Sequence, residues 1–279
     1  MPPGGWPINI WSCMKASFNN NDVNGKVPLV TVVTVALNAG QYIEQTIQSV
    51  LNQTWRPLEF IVVDGASTDA TPEIVGRYTD RIDHFISEKD EGIADAMNKG
   101  LALATGEYIV FLHADDYFEN DHSLEQAMGY CEETTDILAC DIRFGKHFKR
   151  YRPRGFTWWF NFKTGVFHQG TVCRRAFIER LGGFDKRFRI VMDYDFFLRA
   201  RLARARLVKA PVILSVMRDT GISTRSDWRS LKSRFDEEKE VHEKNSCSRT
   251  RRLMYALYWV LYLTYRRAMY VIKNRTMKI

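Results

Sequence analysis

No Cys-x-x-Cys pair occurs in this sequence: its five cysteines, Cys13, Cys131, Cys140, Cys173 and Cys247, are odd in number and widely spaced. That excludes a zinc ribbon and a disulfide framework and implies reduced thiols in a cytosolic setting. There is no Gly-x-Gly-x-x-Gly, which excludes a Rossmann dehydrogenase. The turn after the first expected strand, Asn38-Ala-Gly-Gln41, has none of the Gly-rich, Lys- or Arg-bearing character of a nucleotidyltransferase phosphate loop. No apolar run is long enough to span a bilayer, and residues 1–26 lack the basic and apolar regions of a signal peptide. Acidic residues are missing from the tail, where Lys244 to Ile279 holds nine Lys or Arg and no Asp or Glu. The remaining chain has 31 basic against 33 acidic residues, so the formal net charge of +7 belongs to the tail. The body is therefore not a nucleic-acid binder, and the tail suits an anionic lipid surface.

What is present is an ordinary globular core. With 279 residues, 45% hydrophobic and 26% charged, the chain can build one large α/β domain with an appendage. Residues 1–26 read as a loosely ordered extension. Apolar runs at 27–37, 58–63, 82–87 and 108–112 alternate with helical spacings near 42–51, 71 onward and 92–104, which predicts a doubly wound, mainly parallel sheet. Thr71-Pro72 is expected to open its helix with Thr71 as the cap. Beyond 118 the expectations are a helix over 123–133, strands over 136–143 and 165–173, and a helix over 175–181. A further helix should start near Asp193, two strands should flank Pro211, and a polar loop over 218–227 should precede two helices. The run Leu253 to Tyr265 looks apolar on all faces between arginine pairs. Its thirteen residues rise about 20 Å as a helix, short of the ~30 Å hydrocarbon core, which favours shallow association with a membrane surface over a span.

The chain is organised around Tyr108-Ile-Val-Phe-Leu-His-Ala-Asp-Asp-Tyr-Phe118, an apolar strand ending in two adjacent carboxylates. Ligands of open α/β sheets bind outside the carboxyl ends of such strands, and two acids there call for a cation and an anionic substrate. Asp64, after the second strand, and Asp193 supply further carboxylates near the same edge. On Thr34-Val-Ala-Leu-Asn38, Ile61-Val-Val-Asp-Gly-Ala-Ser-Thr-Asp69, Ser87-Glu-Lys-Asp-Glu-Gly-Ile-Ala-Asp-Ala-Met-Asn-Lys-Gly100, Phe111-Leu-His-Ala-Asp-Asp116, His168-Gln-Gly170, Gly182-Gly-Phe-Asp185 and Asp193-Tyr-Asp195, the sequence resembles the inverting family 2 glycosyltransferases of the GT-A fold. The resemblance covers residues 30–223.

That resemblance implies a mixed, mainly parallel GT-A sheet with C-terminal helices. Residues 27–223 would form the catalytic domain and 224–279 a basic, membrane-associating segment. It places Asp64 on the uracil N3–H, with Thr34, Ala36 and Asn38 around the nucleotide and Asp95 and Asn98 lining the donor pocket. Asp116 becomes the ligand of Mn²⁺ or Mg²⁺, because Ala114 stands where the family's first metal-site aspartate would be. Asp115 faces the ribose or helps place the metal. Asp193 becomes the general base, although its partner acid is Met192 here and Asp195 stands two residues on. His168, Gln169 and Arg218 are assigned to the diphosphate or acceptor, and Arg218 and Ser223 bracket a lid loop. Ser67, Thr68 and Asp69 are read as turn residues without chemistry. Trp158-Trp159-Phe160 with Phe162 is expected to shape an acceptor groove. The expected donor is a UDP-sugar and the acceptor a glycan on a polyprenyl diphosphate lipid at the inner face of the cell membrane. The rivals are a sugar nucleotidyltransferase and a non-catalytic nucleotide-sugar-binding protein; Asp193 argues against the second.

Overall fold

The computed structural model describes residues 27–221, 224 and 226–276. The expected extension over 1–26 and Ser223 lie outside them. Strand β1 (Val30–Ala36) is buried along its whole length, as a strand covered on both faces must be. It pairs in parallel with β2 (Leu58–Asp64) on one side and β4 (Tyr108–Phe111) on the other, and β2 pairs in parallel with β3 (His84–Ser87). The crossovers carry α1 (Ile43–Leu51), α2 (Thr71–Gly76) and α3 (Ile93–Leu103). In α1, Ile43, Ile47, Val50 and Leu51 recur at helical spacing and are buried. They join Val32, Phe60 and Val62 in one core, whereas Ala94, Met97 and Leu101 of α3 join Val33, Val35 and Ile61 in the core on the other face.

After β4 come β5 (Tyr117–Phe118), α4 (Ser123–Met128), β6 (Ile137–Phe144), β7 (Lys149–Tyr151), β8 (Thr171–Arg174), α5 (Arg175–Arg180), α6 (Met192–Leu202) and β9 (Leu207–Met217). The sheet order is β3-β2-β1-β4-β8-β6-β9-β5, with β7 on β6. The expected α/β architecture is therefore present, parallel in its first half and mixed beyond. Three expectations are corrected. The helix over 123–133 is shorter, ending at Met128. Pro211 does not separate two strands: β9 runs through it, and the register against β6 shifts between Cys140 and Ile142, the bulge a residue without N–H requires. Residues 165–173 are not one strand, because His168–Gly170 forms a 3₁₀ turn before β8. Gly170 makes that turn possible, since a Cβ there would lie 2.6 Å from Ile142 Cγ2 and 3.0 Å from the Cys140 carbonyl.

The C-terminal helices α7 (Trp228–Lys244) and α8 (Arg249–Thr276) are not a separate module. Phe235, Tyr255 and Trp259 enclose Phe162, and Val241 enters the core beside Tyr194 and Phe197. Nor is the 253–265 run apolar on all faces to no purpose: one face of α8 is buried and the other is bare. Among the described residues no helix is long and apolar enough to cross a membrane.

The joint is centred on His242, which is fully buried. Trp259 Nε1–H donates to its Nδ1 (2.9 Å), so the neutral ring carries its proton on Nε2, facing Tyr194 Oη at 2.8 Å. The Tyr194 hydroxyl then donates to the Asn161 carbonyl (2.8 Å), and Tyr255 stacks on the imidazole at 4.1 Å. Burial, with the Lys163 charge adding to it, pushes His242 down to about 3. The unfolded chain takes up this proton first, near pH 6.5. The stability held here is thus full above that value and lost as pH falls toward about 3. Thermal melts should show a steeper loss of Tm between pH 7 and 4 in the wild type than in His242→Gln. Parallel slopes would remove His242 as the cause.

Candidate active site

The chain steps from β1 to β2 and β3 on one side and then crosses to β4 on the other, all four strands parallel, so the crevice at their carboxyl ends is a topological switch point. The β4 chain continues along β1, with Leu112 N–H on Val33 O (3.0 Å) and Ala114 N–H on Val35 O (3.1 Å). Thr46 of α1 sets its hydroxyl within reach of the Ala114 and Asp116 carbonyls (2.9 and 2.6 Å), fixing the two carboxylates at the exit. Asp116 is 1% exposed. Burial and the neighbouring Asp115 charge push its carboxyl well above the ordinary range, against the Arg218 N–H that bonds Oδ1 at 3.0 Å. Thr220 Oγ1 donates to Asp115 (2.7 Å). A buried carboxylate under that pressure fits a hard divalent cation, whose charge would offset both. Among the described residues no three His, Cys, Asp or Glu side chains are placed to hold a metal, so further oxygens must come from substrate or water.

Opposite stands the start of α6. Asp193 does not cap the helix; it lies in its first turn, where the helix dipole favours a carboxylate, and it accepts from Tyr194 N–H (2.7 Å). Its Oδ2 is 3.3 Å from His168 Nδ1, and His168 Nε2 is 3.1 Å from His113 Nε2. When His168 is neutral and donates from Nδ1, its Nε2 accepts from His113; when it is charged, it donates to both. Burial and the His168 charge push the His113 imidazole well below its ordinary pKa. Asp195 is resolved by its surroundings: it is fully buried and bonded to Arg199 (2.8 Å), Lys244 (2.9 Å) and Asn245 (3.0 Å), so it is a structural anion and not a base facing substrate.

A pocket of about 740 Å³ brings together Asp115, Asp116, His168, Gln169, Asp193 and Arg218 of the expected residues. It adds His113, which the sequence reading quoted within a motif but did not single out. Tyr262 and Arg266 of α8 also line it; only the fold could reveal that the tail walls the site. Gln169 bonds Asp116. Arg218 is not free for a phosphate: its guanidinium lies between the Tyr42 and Tyr117 rings (4.6 and 4.8 Å) and donates to the Asp115 carbonyl and Gln45.

The remaining expected residues lie outside the pocket's lining. Thr34 and Ala36 are buried within β1, and among the described residues the Thr34 hydroxyl has no hydrogen-bond partner. Asn38 uses its carbonyl oxygen on Thr68 N–H (2.9 Å), and its own N–H donates to Ser67 (2.7 Å). Asp64 is fully buried, accepting from Ser67 N–H (3.0 Å), Ser87 Oγ (2.6 Å) and Ser67 Oγ. Ser67, Thr68 and Asp69 therefore do more than turn the chain. Thr71 is the first helical residue and not the cap, which is Ala70; Asp69 just before it accepts from Thr71 N–H (2.9 Å) and Gly40 N–H (2.9 Å). Asn98 spends its amide on both backbone groups of Phe184 (2.7 and 2.9 Å), and Asp95 is paired with Lys186 at 3.3 Å. The aromatic cluster divides: Phe160 and Phe162 are core, whereas Trp158 and Trp159 are exposed on a separate apolar groove with Leu253 and Leu257.

Comparison with known proteins bears on the family and the fold. Residues 31–191, more than half of the chain, match the sequence profile of the family described as Glycosyl transferase family 2. A PGL/p-HBAD biosynthesis glycosyltransferase of Mycobacterium bovis is 28% identical over 184 residues, covering 62% of this chain and 69% of that protein. The putative teichuronic acid biosynthesis glycosyltransferase TuaG of Bacillus subtilis is 41% identical over 109 residues, 38% of this chain and 43% of that one. Among solved structures, the mannosyltransferase PcManGT from Pyrobaculum calidifontis with GDP-Man and Mn2+ has a TM-score of 0.63 at 22% identity, covering 90% of this chain and 76% of that chain. S. aureus TarS 1-349 has a TM-score of 0.62 at 19% identity, covering 78% of this chain and 66% of that chain. Likeness at that identity establishes the shared fold.

Proposed function

Because the chain belongs to glycosyl transferase family 2, we propose that it transfers a sugar, with inversion, from a UDP-sugar to a hydroxyl of a lipid-linked glycan. The observation that carries this is the single pocket into which the β4 exit delivers Asp116 and the start of α6 delivers Asp193. Solved relatives of the fold bind UDP-GlcNAc or GDP-Man with Mn2+. Asp116, with Asp115 beside it, would hold Mn²⁺ or Mg²⁺, which when bound supplies charge neutralisation to the diphosphate. Asp193 takes the proton of the acceptor hydroxyl. The oxygen bonds the anomeric carbon as the bond to the diphosphate oxygen breaks on the opposite face, and that electron pair leaves with the nucleoside diphosphate. His168, bonded to Asp193 through Nδ1 and to His113 through Nε2, holds the base in place. The test is nucleoside diphosphate release from a panel of UDP-, GDP- and dTDP-sugars with Mn²⁺ and a membrane lipid extract. Release from UDP-sugars is expected; release from none overturns the proposal.

The same reading places the protein on the inner face of the cell membrane. Ten of the fourteen exposed large apolar side chains among the described residues lie on α8 or are Trp158 and Trp159. Leu253, Leu257, Leu261 and Tyr265 follow one another at helical spacing, amid a tail with nine basic and no acidic residues. That combination suits an interfacial helix on anionic lipid. Truncation at Lys244 would bare the Phe162–Phe235 cluster, so Leu257→Glu with Leu261→Glu is the cleaner test. The pair should abolish sedimentation with phosphatidylglycerol vesicles while leaving Tm within a few degrees. Unchanged sedimentation would contradict the assignment.

A further inference from the structure

Asp64 offers a nucleobase nothing: it is fully buried and takes donors from Ser67 and Ser87. Another carboxylate stands on the open side of the same edge. Gly65, the residue after β2, has no side chain, and a Cβ there would run into the Asp90 carboxylate. Glycine at 65 is thus what admits Asp90 over the strand end. Gly92 N–H fixes Asp90 through Oδ1 (2.8 Å), and among the described residues no donor reaches Oδ2. The same Cβ position lies 3.4 Å from Leu37 Cδ1, and Leu37 is 60% exposed at the end of β1. An open carboxylate oxygen beside a bare apolar side chain makes a shelf for a flat ring whose edge carries an N–H. Strands spaced 4.7–4.9 Å apart put the end of β2 about 10 Å from that of β4, where Asp116 lies, a span a nucleoside covers between base and diphosphate.

We propose that Asp90 is the specificity residue for the donor base, accepting its ring N–H on Oδ2 while Leu37 packs against the ring face. This rests on the nucleotide-sugar transferase reading above. Uracil, thymine and guanine present a ring N–H at that edge. Cytosine and adenine present a lone pair, which a carboxylate repels. Asp90 is half-buried and Gly65 has no left-handed backbone angle, so both positions tolerate alanine.

The experiment is calorimetric titration of UDP and CDP in Mn²⁺ on wild type, Asp90→Ala, Gly65→Ala and Asp64→Asn. Wild type is expected to prefer UDP over CDP. Asp90→Ala should weaken UDP roughly ten- to a hundredfold, the loss of one charged hydrogen bond, and tighten CDP by relieving the repulsion, so that the preference for UDP collapses. Gly65→Ala should reproduce the effect with the Asp90 charge retained, because its methyl displaces the carboxylate. Asp64→Asn should lower Tm and keep the UDP preference. UDP binding indifferent to Asp90, or a preference lost in Asp64→Asn, overturns the assignment alone. A wild type that binds no nucleoside diphosphate overturns the transferase reading and this assignment with it.

Discussion

Asp193→Asn is expected to lower turnover by roughly 10²–10⁴-fold while leaving nucleotide affinity and Tm unchanged. The amide is isosteric and keeps an acceptor for Tyr194 N–H (2.7 Å), so the first turn of α6 survives. What it loses is the ability to take a proton from the attacking hydroxyl. The effect should fall on turnover, because the donor is held from the β4 side. Asp195→Asn is the control with the opposite pattern. That residue anchors Arg199, Lys244 and Asn245 in the core, so its loss should lower Tm markedly. A stable Asp195→Asn enzyme with no turnover, beside an active Asp193→Asn enzyme, would reverse the assignment.

Asp116→Asn should separate stability from function in the other direction. The wild-type carboxyl is buried beside Asp115, and both features push it up. Holding it ionised at neutral pH without a cation therefore costs stability. A neutral amide can still accept the Arg218 N–H and removes the repulsion, so Tm of the ligand-free protein should rise. Metal-dependent nucleotide binding should fall by two orders of magnitude or more, since the charge that holds the ion is gone. A rise in Tm with loss of binding is the signature of a residue kept for function at the expense of fold. A fall in Tm with binding intact would assign Asp116 to structure.

The strands and the acids at their ends were legible in the sequence for a simple reason. A strand buried on both faces has to be a continuous apolar run, and a carboxylate that follows one lands at the edge where α/β sheets bind ligands. The expected residues that lie outside the pocket's lining are bonded to groups no local pattern reveals. Asn98 bonds Phe184, 86 positions on, and Asp64 accepts from Ser87 on the next strand as well as from its neighbour Ser67. A polar side chain in a motif looks the same whether it faces a ligand or is spent on backbone. Asp195 and Asp193 are likewise alike until Lys244 and Arg199 are seen around one and His168 beside the other. Pro211 was read as a strand break because a proline removes one ladder bond, but a bulge absorbs that loss inside β9. The tail's role as a pocket wall depends on Tyr262 and Arg266 being folded back past Phe235, which no local pattern encodes.

The measurement that bears most directly on the donor site is calorimetric titration of UDP into the full chain with and without Mn²⁺, on wild type and Asp116→Asn. The expected result is UDP binding that requires Mn²⁺ in the wild type and disappears in the variant. UDP binding of equal strength in both proteins, or in the wild type with and without the ion, would contradict the placement of a metal-bound diphosphate at Asp116.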